Sequence, residues 1–162
     1  MKTLNTSIFF IFLFLFPSIS NGIDYKFKKI EEFKVLESFK TIEDFEKYYE
    51  KYTQECLDNT YGGTGGIPCF IGYEIWDREL NIYYKKLYTK LDNHGKKLLK
   101  DSQLAWVKER DLSIKLNSFL LDKVYTEPGT MFLLMRAGDA DSMITPIIKQ
   151  RTLVLKTWLQ SI

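Results

Sequence analysis

Apolar side chains recur every three or four residues over long stretches of the chain, and this spacing places them on one face of an α-helix. Thr41 stands three residues before Asp44, an arrangement that caps the start of a helix. The pattern therefore predicts a first helix from Thr41 to about Asn59. Residues 24–40 repeat the apolar spacing less regularly, among many lysines and glutamates, and are also predicted to be helical. The apolar positions of the first helix are Ile42, Phe45, Tyr49 and Tyr52.

Glycine and proline separate this helix from the next one. Residues 61–68 contain four glycines and one proline, a composition that predicts a loop. Pro68 is suited to the first position of a helix, where its missing N–H costs nothing. A second helix is therefore predicted from about Cys69 to Leu91.

The second half of the chain predicts two further helices. A polar turn ending at Gly95 is followed by a third helix over about 97–124, which residues 127–130 interrupt. Thr145 and Pro146 then have the residue types of an N-cap and a first helical position, so a last helix is predicted to run from there to about Gln160. Without a competing strand pattern, the sequence predicts an all-α fold, a small bundle built on a long antiparallel helix hairpin.

The N-terminus has the pattern of a secretory signal peptide. Lys2 precedes nine consecutive apolar residues, Ile8 to Phe16, and a membrane-spanning helix requires roughly 20. Cleavage is predicted after Gly22, and an uncleaved N-terminal anchor is the alternative. The protein is therefore expected to be periplasmic or secreted, without stable membrane insertion after cleavage. The predicted organisation is a signal peptide at 1–22, an N-terminal segment of undefined role at 23–40 and a helical domain at 41–162.

Charge narrows the class of partner. Residues 1–22 contain one lysine and no acid, so the 23 basic and 21 acidic residues of the whole chain become 22 and 21 after cleavage. A nucleic-acid partner would favour a clear basic excess, and none is expected here. The remaining chain is long enough to form one domain with its own core.

The two cysteines and the single histidine limit the possible chemistry. Cys56 and Cys69 form an even pair in a chain expected to be exported, which predicts one disulfide worth roughly 3 kcal/mol. A catalytic thiol or half of a metal site is the alternative, but His94 lies alone in a polar turn. The glycine-rich residues 62–66 lack the Lys-Ser/Thr ending of a phosphate-binding loop. We therefore predict no enzyme activity, no cofactor and no metal.

Carboxylates of the second helix and three tryptophans are further candidate sites. Asp77, Glu74 and Glu79 lie near one another on the second helix, but a paired core aspartate beside solvated glutamates is the simpler interpretation. The tryptophans recur at core spacing, which favours burial over a sugar-binding platform. They are Trp76, Trp106 and Trp158.

Polar residues interrupt the apolar faces of the second and third helices. In an antiparallel helix hairpin, the numbers of two residues that face each other add up to nearly the same value along the hairpin. Three polar pairs are predicted on this basis. A buried carboxylate facing a guanidinium satisfies both groups. The predicted pairs are Asp77 with Arg110, Asn81 with Trp106, and Tyr84 with Gln103.

These residues form two motifs that resemble the signature of the lysozyme-inhibitor LprI N-terminal-domain family. The resemblance covers about Cys56 to Leu159 and implies a small, exported, helical bacterial protein. Ser113 stands where many members have a further cysteine, so a second family disulfide is not expected. The first motif consists of Asp77, Leu80, Asn81 and Tyr84, the second of Gln103, Trp106, Arg110 and Asp111, and Arg151 resembles a later family arginine.

The resemblance implies an inhibitor of lysozyme or of another peptidoglycan-cleaving enzyme. The loop between the cysteines is the candidate contact, although a mere connection is the alternative. A different function class also stays open: an envelope scaffold or stress module, or an immunity protein against a secreted toxin. The candidate loop residues are Tyr61, Gly63, Thr64 and Ile67. Acids that precede the loop, and that would attract a basic enzyme, are Glu43, Asp44, Glu46, Glu50, Glu55 and Asp58.

Overall fold

The computed structural model describes residues 25–162, so the predicted signal peptide lies outside the described residues. In this part of the chain all regular structure is helical, which confirms the predicted all-α class. Three 3-10 helices cover Ile30–Glu32, Leu36–Ser38 and Gly63–Cys69. The α-helices are α1 (Ile42–Asn59), α2 (Gly72–Lys90), α3 (Asn93–Val124) and α4 (Thr130–Gln160).

Side-chain caps explain where α1 and α3 begin. Thr41 caps α1 as predicted, and its hydroxyl accepts a hydrogen bond from the Asp44 amide at 3.0 Å. Asp92 does the same for α3, accepting from the Gly95 amide at 2.7 Å. The predicted polar turn up to Gly95 is therefore wrong. Because Asp92 is itself the cap, α3 starts at residue 93, and only two residues separate it from α2.

The start of α2 also differs from the prediction, because Pro68 lies inside a 3-10 helix and not at the start of α2. The residue before α2 is Ile71, which has no side-chain acceptor. Asp141 of α4 supplies the cap, and its carboxylate accepts from the amides of Gly72 (3.2 Å) and Tyr73 (2.8 Å). A Cβ at position 72 would lie 2.6 Å from this carboxylate, so the contact requires glycine.

Helix α4 is twice as long as predicted. It begins at Thr130, and Pro146 lies inside it instead of opening it. The stretch of small and polar residues before Pro146 remains helical because its neighbours pack closely on it. A Cβ at Gly138 would lie 2.9 Å from the Phe70 ring, so the glycine lets this ring pack directly on the helix backbone.

The core lies mainly between α2 and α4, which pack along each other. Trp76, which is fully buried as predicted, packs edge-on against Phe45 and donates a 3.1 Å hydrogen bond from Nε1 to the Tyr49 hydroxyl. The buried face of α2 is rotated from the predicted one, because α4 covers α2 more extensively than α3 does. This face consists of Gly72, Ile75, Trp76, Glu79, Leu80, Tyr83 and Leu87.

The N-terminal segment is not the helix that the sequence predicted. Two short 3-10 helices interrupt an otherwise irregular chain, and a guanidinium of α2 holds it in place. Arg78 donates from Nη1 to the carbonyl oxygens of Ile30 (2.6 Å) and Phe33 (2.8 Å), and from Nη2 to that of Lys34 (3.0 Å). Its neighbour Glu79, predicted to be solvated, is fully buried and pairs with Arg78 at 2.6 Å. The segment therefore folds by tertiary contacts and not by its own helical propensity.

Two buried tyrosines predict opposite responses to the loss of their hydroxyls. The Tyr83 hydroxyl is buried and has no hydrogen-bond partner, whereas that of Tyr49 accepts from Trp76. An unsatisfied buried group costs about 1–3 kcal/mol. We expect Tyr83→Phe to leave the free energy of unfolding unchanged or higher, and Tyr49→Phe to lower it by about 1–3 kcal/mol. Urea denaturation of the two variants at pH 7 measures both effects, and an equal loss in both would contradict the assignment.

Burial also predicts a sensitivity to alkali. Burial raises the pKa of Tyr49 from 10.0 to about 12, and it raises the pKa of Tyr83 as well. Above pH 10 the unfolded chain releases these protons while the folded chain retains them, so stability falls as pH rises. We expect a slope of about 1.4 kcal/mol per pH unit for each such tyrosine, up to the pKa of each in the folded protein. Tyr83→Phe should reduce this slope in denaturation experiments, and an unchanged slope would contradict the prediction.

The Arg78 contacts predict a local and a global effect of one substitution. The side chains of Arg78 and Glu79 are 15% and 1% exposed, and removal of one partner from such a pair costs about 3–5 kcal/mol. We expect Arg78→Ala to lower the free energy of unfolding by this amount and to accelerate backbone hydrogen exchange across residues 30–38. Arg78→Lys keeps the charge but not the planar guanidinium with its several N–H donors. Its stability and exchange rates should therefore lie between those of Arg78→Ala and the wild type. Wild-type exchange in Arg78→Ala would argue against the role given to the guanidinium.

Candidate partner-binding site

The predicted disulfide is confirmed. Cys56, near the end of α1, and Cys69, at the end of the third 3-10 helix, are bonded with a Cα–Cα distance of 5.6 Å. Both are fully buried. We call residues 57–68 the disulfide loop. The bond ties both ends of this loop to the core, so the loop cannot move away as a free segment.

Backbone geometry turns the tip of the disulfide loop outward. Three consecutive residues, Tyr61, Gly62 and Gly63, have positive φ angles of 55°, 76° and 59°. This left-handed conformation is costly for tyrosine and easy for glycine. Tyr61 projects into solvent as a result and is 78% exposed. A large aromatic side chain on a constrained turn is therefore available for contact with another molecule.

The rest of the disulfide loop packs against α4. A Cβ at Gly63 would lie 3.0 Å from the Thr130 hydroxyl, and Gly66 is buried between α1 and α4. Thr64 is exposed, whereas Ile67 is half-buried and lines a groove of about 470 Å³ with Phe70. Of the four candidate loop residues, the structure thus exposes Tyr61 and Thr64, and Gly63 and Ile67 position the loop.

The turn between α3 and α4 carries a second group of exposed apolar side chains. This turn lies next to the disulfide loop, which approaches the start of α4 at Thr130. We call residues 116–135 the hairpin tip. Asn117 and Arg136 hold its two helices together: Asn117 donates to the Ala140 carbonyl at 3.4 Å, and Arg136 binds Asp122 at 2.7 Å. The outer side chains are 38–68% exposed, and contiguous exposed apolar patches often mark interaction sites. They are Leu116, Phe119, Leu120, Val124, Met131, Phe132, Leu133 and Met135.

The acidic row that precedes the loop is partly neutralised. Glu46 pairs with Lys149 of α4 at 2.6 Å, and Glu55 pairs with Lys51 at 3.6 Å. Glu43, Asp44, Glu50 and Asp58 are exposed. The field that this row presents to a basic partner is therefore weaker than the count of acids suggests.

The motif residues link α2, α3 and α4. The Arg110 guanidinium lies 3.9 Å from the Asp77 carboxylate, as the hairpin register predicts, and also binds Asp111 at 2.7 Å. The Asn81 amide donates to Asp77 at 3.0 Å. Gln103 accepts a hydrogen bond from Arg151 at 3.0 Å, and no hydrogen bond joins it to Tyr84. Arg151 of α4 is therefore the hydrogen-bond partner of Gln103 instead of the predicted Tyr84, because α4 packs against both α2 and α3.

The three tryptophans differ in exposure. Trp106 is half-buried, and its ring centroid lies 5.5 Å from the Arg110 guanidinium and 5.9 Å from that of Arg151. Trp158 was predicted to lie in the core, but it is 41% exposed. It lies in the last turns of α4, where the neighbouring Leu159 packs against the core and the Trp158 ring lies 5.4 Å from the Arg151 guanidinium. Core spacing alone does not show which apolar residue of the last turns faces the core.

Sequence reasoning missed Arg78, Glu79 and Asp141 as structural residues. Arg78 and Asp141 satisfy partners that are distant in sequence, and Glu79 pairs with its neighbour Arg78. Asp141 also lies ahead of Thr145, where the last helix was predicted to begin. Burial raises the pKa of Asp141, while the amides of Tyr73 and Gly72 oppose that rise. For Asp141 alone a sequence signal could have helped: the residues before α2 include no side chain that caps it, and an uncapped helix start calls for an acceptor from elsewhere.

Within residues 25–162, no group of three or more histidine, cysteine, aspartate or glutamate side chains is arranged to hold a metal ion. Over the same residues, no helix has the length and hydrophobicity needed to cross a bilayer. The disulfide, the helices and the exposed apolar side chains of the hairpin tip characterise a disulfide-bonded helical protein with apolar surface available for contacts.

Comparison with known protein families matches residues 71–152, about half of the chain, to the family described as Lysozyme inhibitor LprI. The chain belongs to this family. The matched region includes both motifs and Arg151. Comparisons with curated proteins and with solved structures find no match.

The disulfide predicts a measurable stabilisation. The cysteines are 13 residues apart, and closing a loop of this size stabilises a fold by about 3 kcal/mol. We expect Cys56→Ala with Cys69→Ala to lower the free energy of unfolding by about this amount while the helical circular dichroism persists. Urea denaturation measures the loss, with reduced wild-type protein as the control. Two titratable thiols in the unreduced, unfolded wild type would contradict the bond.

Proposed function

We propose that the protein is exported and inhibits a peptidoglycan-cleaving enzyme of the lysozyme type. Membership of the LprI family supports this class of target. The observation that carries the choice of site is Tyr61, a 78% exposed aromatic residue on a turn anchored by a disulfide. Exposed tyrosines on rigid supports are common energetic anchors of protein interfaces because little conformational entropy is lost on binding.

The proposed mode of inhibition is occlusion of the substrate cleft. An enzyme that cleaves a polysaccharide inside a chain needs an open cleft, and a protein that fills it excludes the polymer. Tyr61 and Thr64 would enter the cleft as the leading edge. The apolar side chains at the start of α4, such as Met131 and Leu133, would pack around its rim. The tight packing of Gly63 and Gly66 against neighbouring elements supports this assignment, because a preorganised loop pays less on binding.

The test uses two tyrosines that differ in position. Tyr61→Ser removes the proposed anchor, and we expect its inhibition constant to rise about 30-fold, since an interface anchor contributes about 2 kcal/mol or more. Tyr88→Ser is the matched control. Tyr88 is 41% exposed and lies in the last turns of α2. The start of α2 follows the disulfide loop, and Tyr88 is roughly 24 Å further along this helix at 1.5 Å per residue, so it is far from the proposed contact.

The measurement is the rate of lysis of purified cell walls by lysozyme and by the wall hydrolases of the same bacterium. Thermal melts of both variants should match the wild type, because an exposed side chain contributes little to stability. If Tyr61→Ser inhibits as well as the wild type, the loop is not the contact. If the wild type inhibits none of these enzymes at micromolar excess, the inhibitor function itself fails.

An envelope scaffold or an immunity protein against a secreted toxin is the second candidate. The observation that favours it is a row of exposed side chains on the outer face of α3, Leu112, Leu116, Leu120 and Val124, at four-residue spacing. Such a row suits a partner helix. Crosslinking in an envelope extract would support this candidate if Leu116→Glu abolished capture of one envelope protein without changing wall-hydrolase inhibition.

A further inference from the structure

Arg151 differs from the other arginines in its surroundings. All four arginines lie in the described part of the chain, and Arg78, Arg110 and Arg136 each have a carboxylate within 4.0 Å. Arg151 has none, although it is half-buried. Its two hydrogen bonds are to neutral acceptors, the Gln103 amide oxygen and the Ser102 hydroxyl, both at 3.0 Å.

The half-buried Arg151 guanidinium lies 5.4 Å from the Trp158 ring centroid and keeps N–H donors that a ligand could use. Burial lowers the pKa of Arg151, and no neighbouring acid offsets this effect. A guanidinium has five N–H donors, and Nη1 of Arg151 has no acceptor in the described protein. A carboxylate is the group whose geometry best matches such a fork.

Arg151 lines a pocket of about 310 Å³ between α3 and α4, which we call the Arg151 pocket. Trp106 provides an aromatic wall, and its ring lies 5.9 Å from the Arg151 guanidinium. Ile147 and Val154 add apolar surface. The remaining lining residues are polar: Glu109, Ser113 and Gln150. A volume at the lower end of the range for small-molecule sites suits a ligand of one sugar or one to two amino acids.

Glu109 narrows the class of ligand. Its carboxylate disfavours a dianion such as phosphate, because two negative charges would face one arginine and one acid. It also offers an acceptor to a ligand hydroxyl or amide N–H. The pocket is therefore suited to a monoanion that has one carboxylate at one end and hydrogen-bond donors on its body.

We propose that the Arg151 pocket binds a small monocarboxylate that carries hydroxyl or amide groups, with the carboxylate on Arg151 and the body against Trp106. An acidic N-acetylated sugar and the carboxyl terminus of a peptide share this chemistry. The Arg151 pocket shares no residue with the disulfide loop. Ligand binding in the pocket can therefore be measured in a variant that no longer inhibits the enzyme, and inhibition can be measured in a variant that no longer binds the ligand.

The experiment follows the Trp106 indole N–H by NMR during titration of the full mature chain, with Trp106→Phe to assign the signal. N-acetylmuramic acid is compared with N-acetylglucosamine, which lacks the carboxylate, and N-acetylalanine with its amide. We expect at least one of the two acids to change the chemical shift of the Trp106 indole N–H until the change saturates, with a Kd near 1 mM. Its neutral counterpart should bind at least tenfold more weakly. The acid that binds more tightly distinguishes a sugar source from a peptide source. Inorganic phosphate should bind more weakly than that acid.

Three variants test the role of the arginine. Arg151→Gln should weaken binding of the acid at least tenfold, and Arg151→Lys should be intermediate because it keeps the charge without the fork. Lys156→Gln, on the same helix but not in the pocket lining, should bind as the wild type does. If Arg151→Gln does not fold, Gln150→Ala at the exposed rim provides a second test, with an expected severalfold loss.

Equal binding of the acids and their neutral counterparts would overturn the proposal, as would wild-type affinity in the folded Arg151→Gln or Gln150→Ala variant. Phosphate binding as tight as that of the better acid would overturn the assignment of a monocarboxylate. The same two-acid titration of Tyr61→Ser should match the wild type. A change there would overturn the separation of the two sites.

Discussion

The contact between the Asp141 carboxylate of α4 and the first amides of α2 determines much of the arrangement around it. Helix α2 begins without a cap of its own, so its free N–H groups need an acceptor from another element. The carboxylate reaches them because Gly72 has no side chain, and a Cβ there would lie 2.6 Å from it. This contact fixes how far α4 is displaced along α2. The position of α4 in turn sets the packing of the disulfide loop and of α3.

Charged groups determine the remaining attachments. Arg78 binds the carbonyls of an N-terminal segment that has little regular structure, and Arg136 joins α3 to α4 near the turn between them. Arg110 and Arg151 both approach the Trp106 ring, one from α3 itself and one from α4. Arg151 alone has no acid beside it. The pocket at the α3–α4 contact therefore contains the one arginine of residues 25–162 that has no carboxylate within 4.0 Å.

Burial is distributed unevenly, and the proposed binding surfaces follow this distribution. Only Leu99, Asn117 and Leu121 are buried among the 32 residues of α3, whereas α2 has seven buried residues among 19. A helix of 32 residues is roughly 48 Å long. Most of α3 therefore serves neither the core nor a cap. The hairpin tip and the outer apolar row of α3 lie where the fold imposes few packing constraints, so their exposed apolar side chains are available for the contacts that we propose.

The features that can be predicted from the sequence depend on residues close together in the chain or on the chemistry of two distinctive residue types. The cap at Thr41, the helical class, the cysteine pair and the approach of Asp77 to Arg110 were all predicted, because spacing and residue chemistry suffice for them. Contacts between distant parts of the chain set which helix covers α2, where α4 begins, and what holds the N-terminal segment. Residues 130–144 were assigned to no helix, yet they are helical where neighbours such as Phe70 pack on Gly138. The neighbours of Arg151 come from two helices, so no local spacing could show that it lacks an acid.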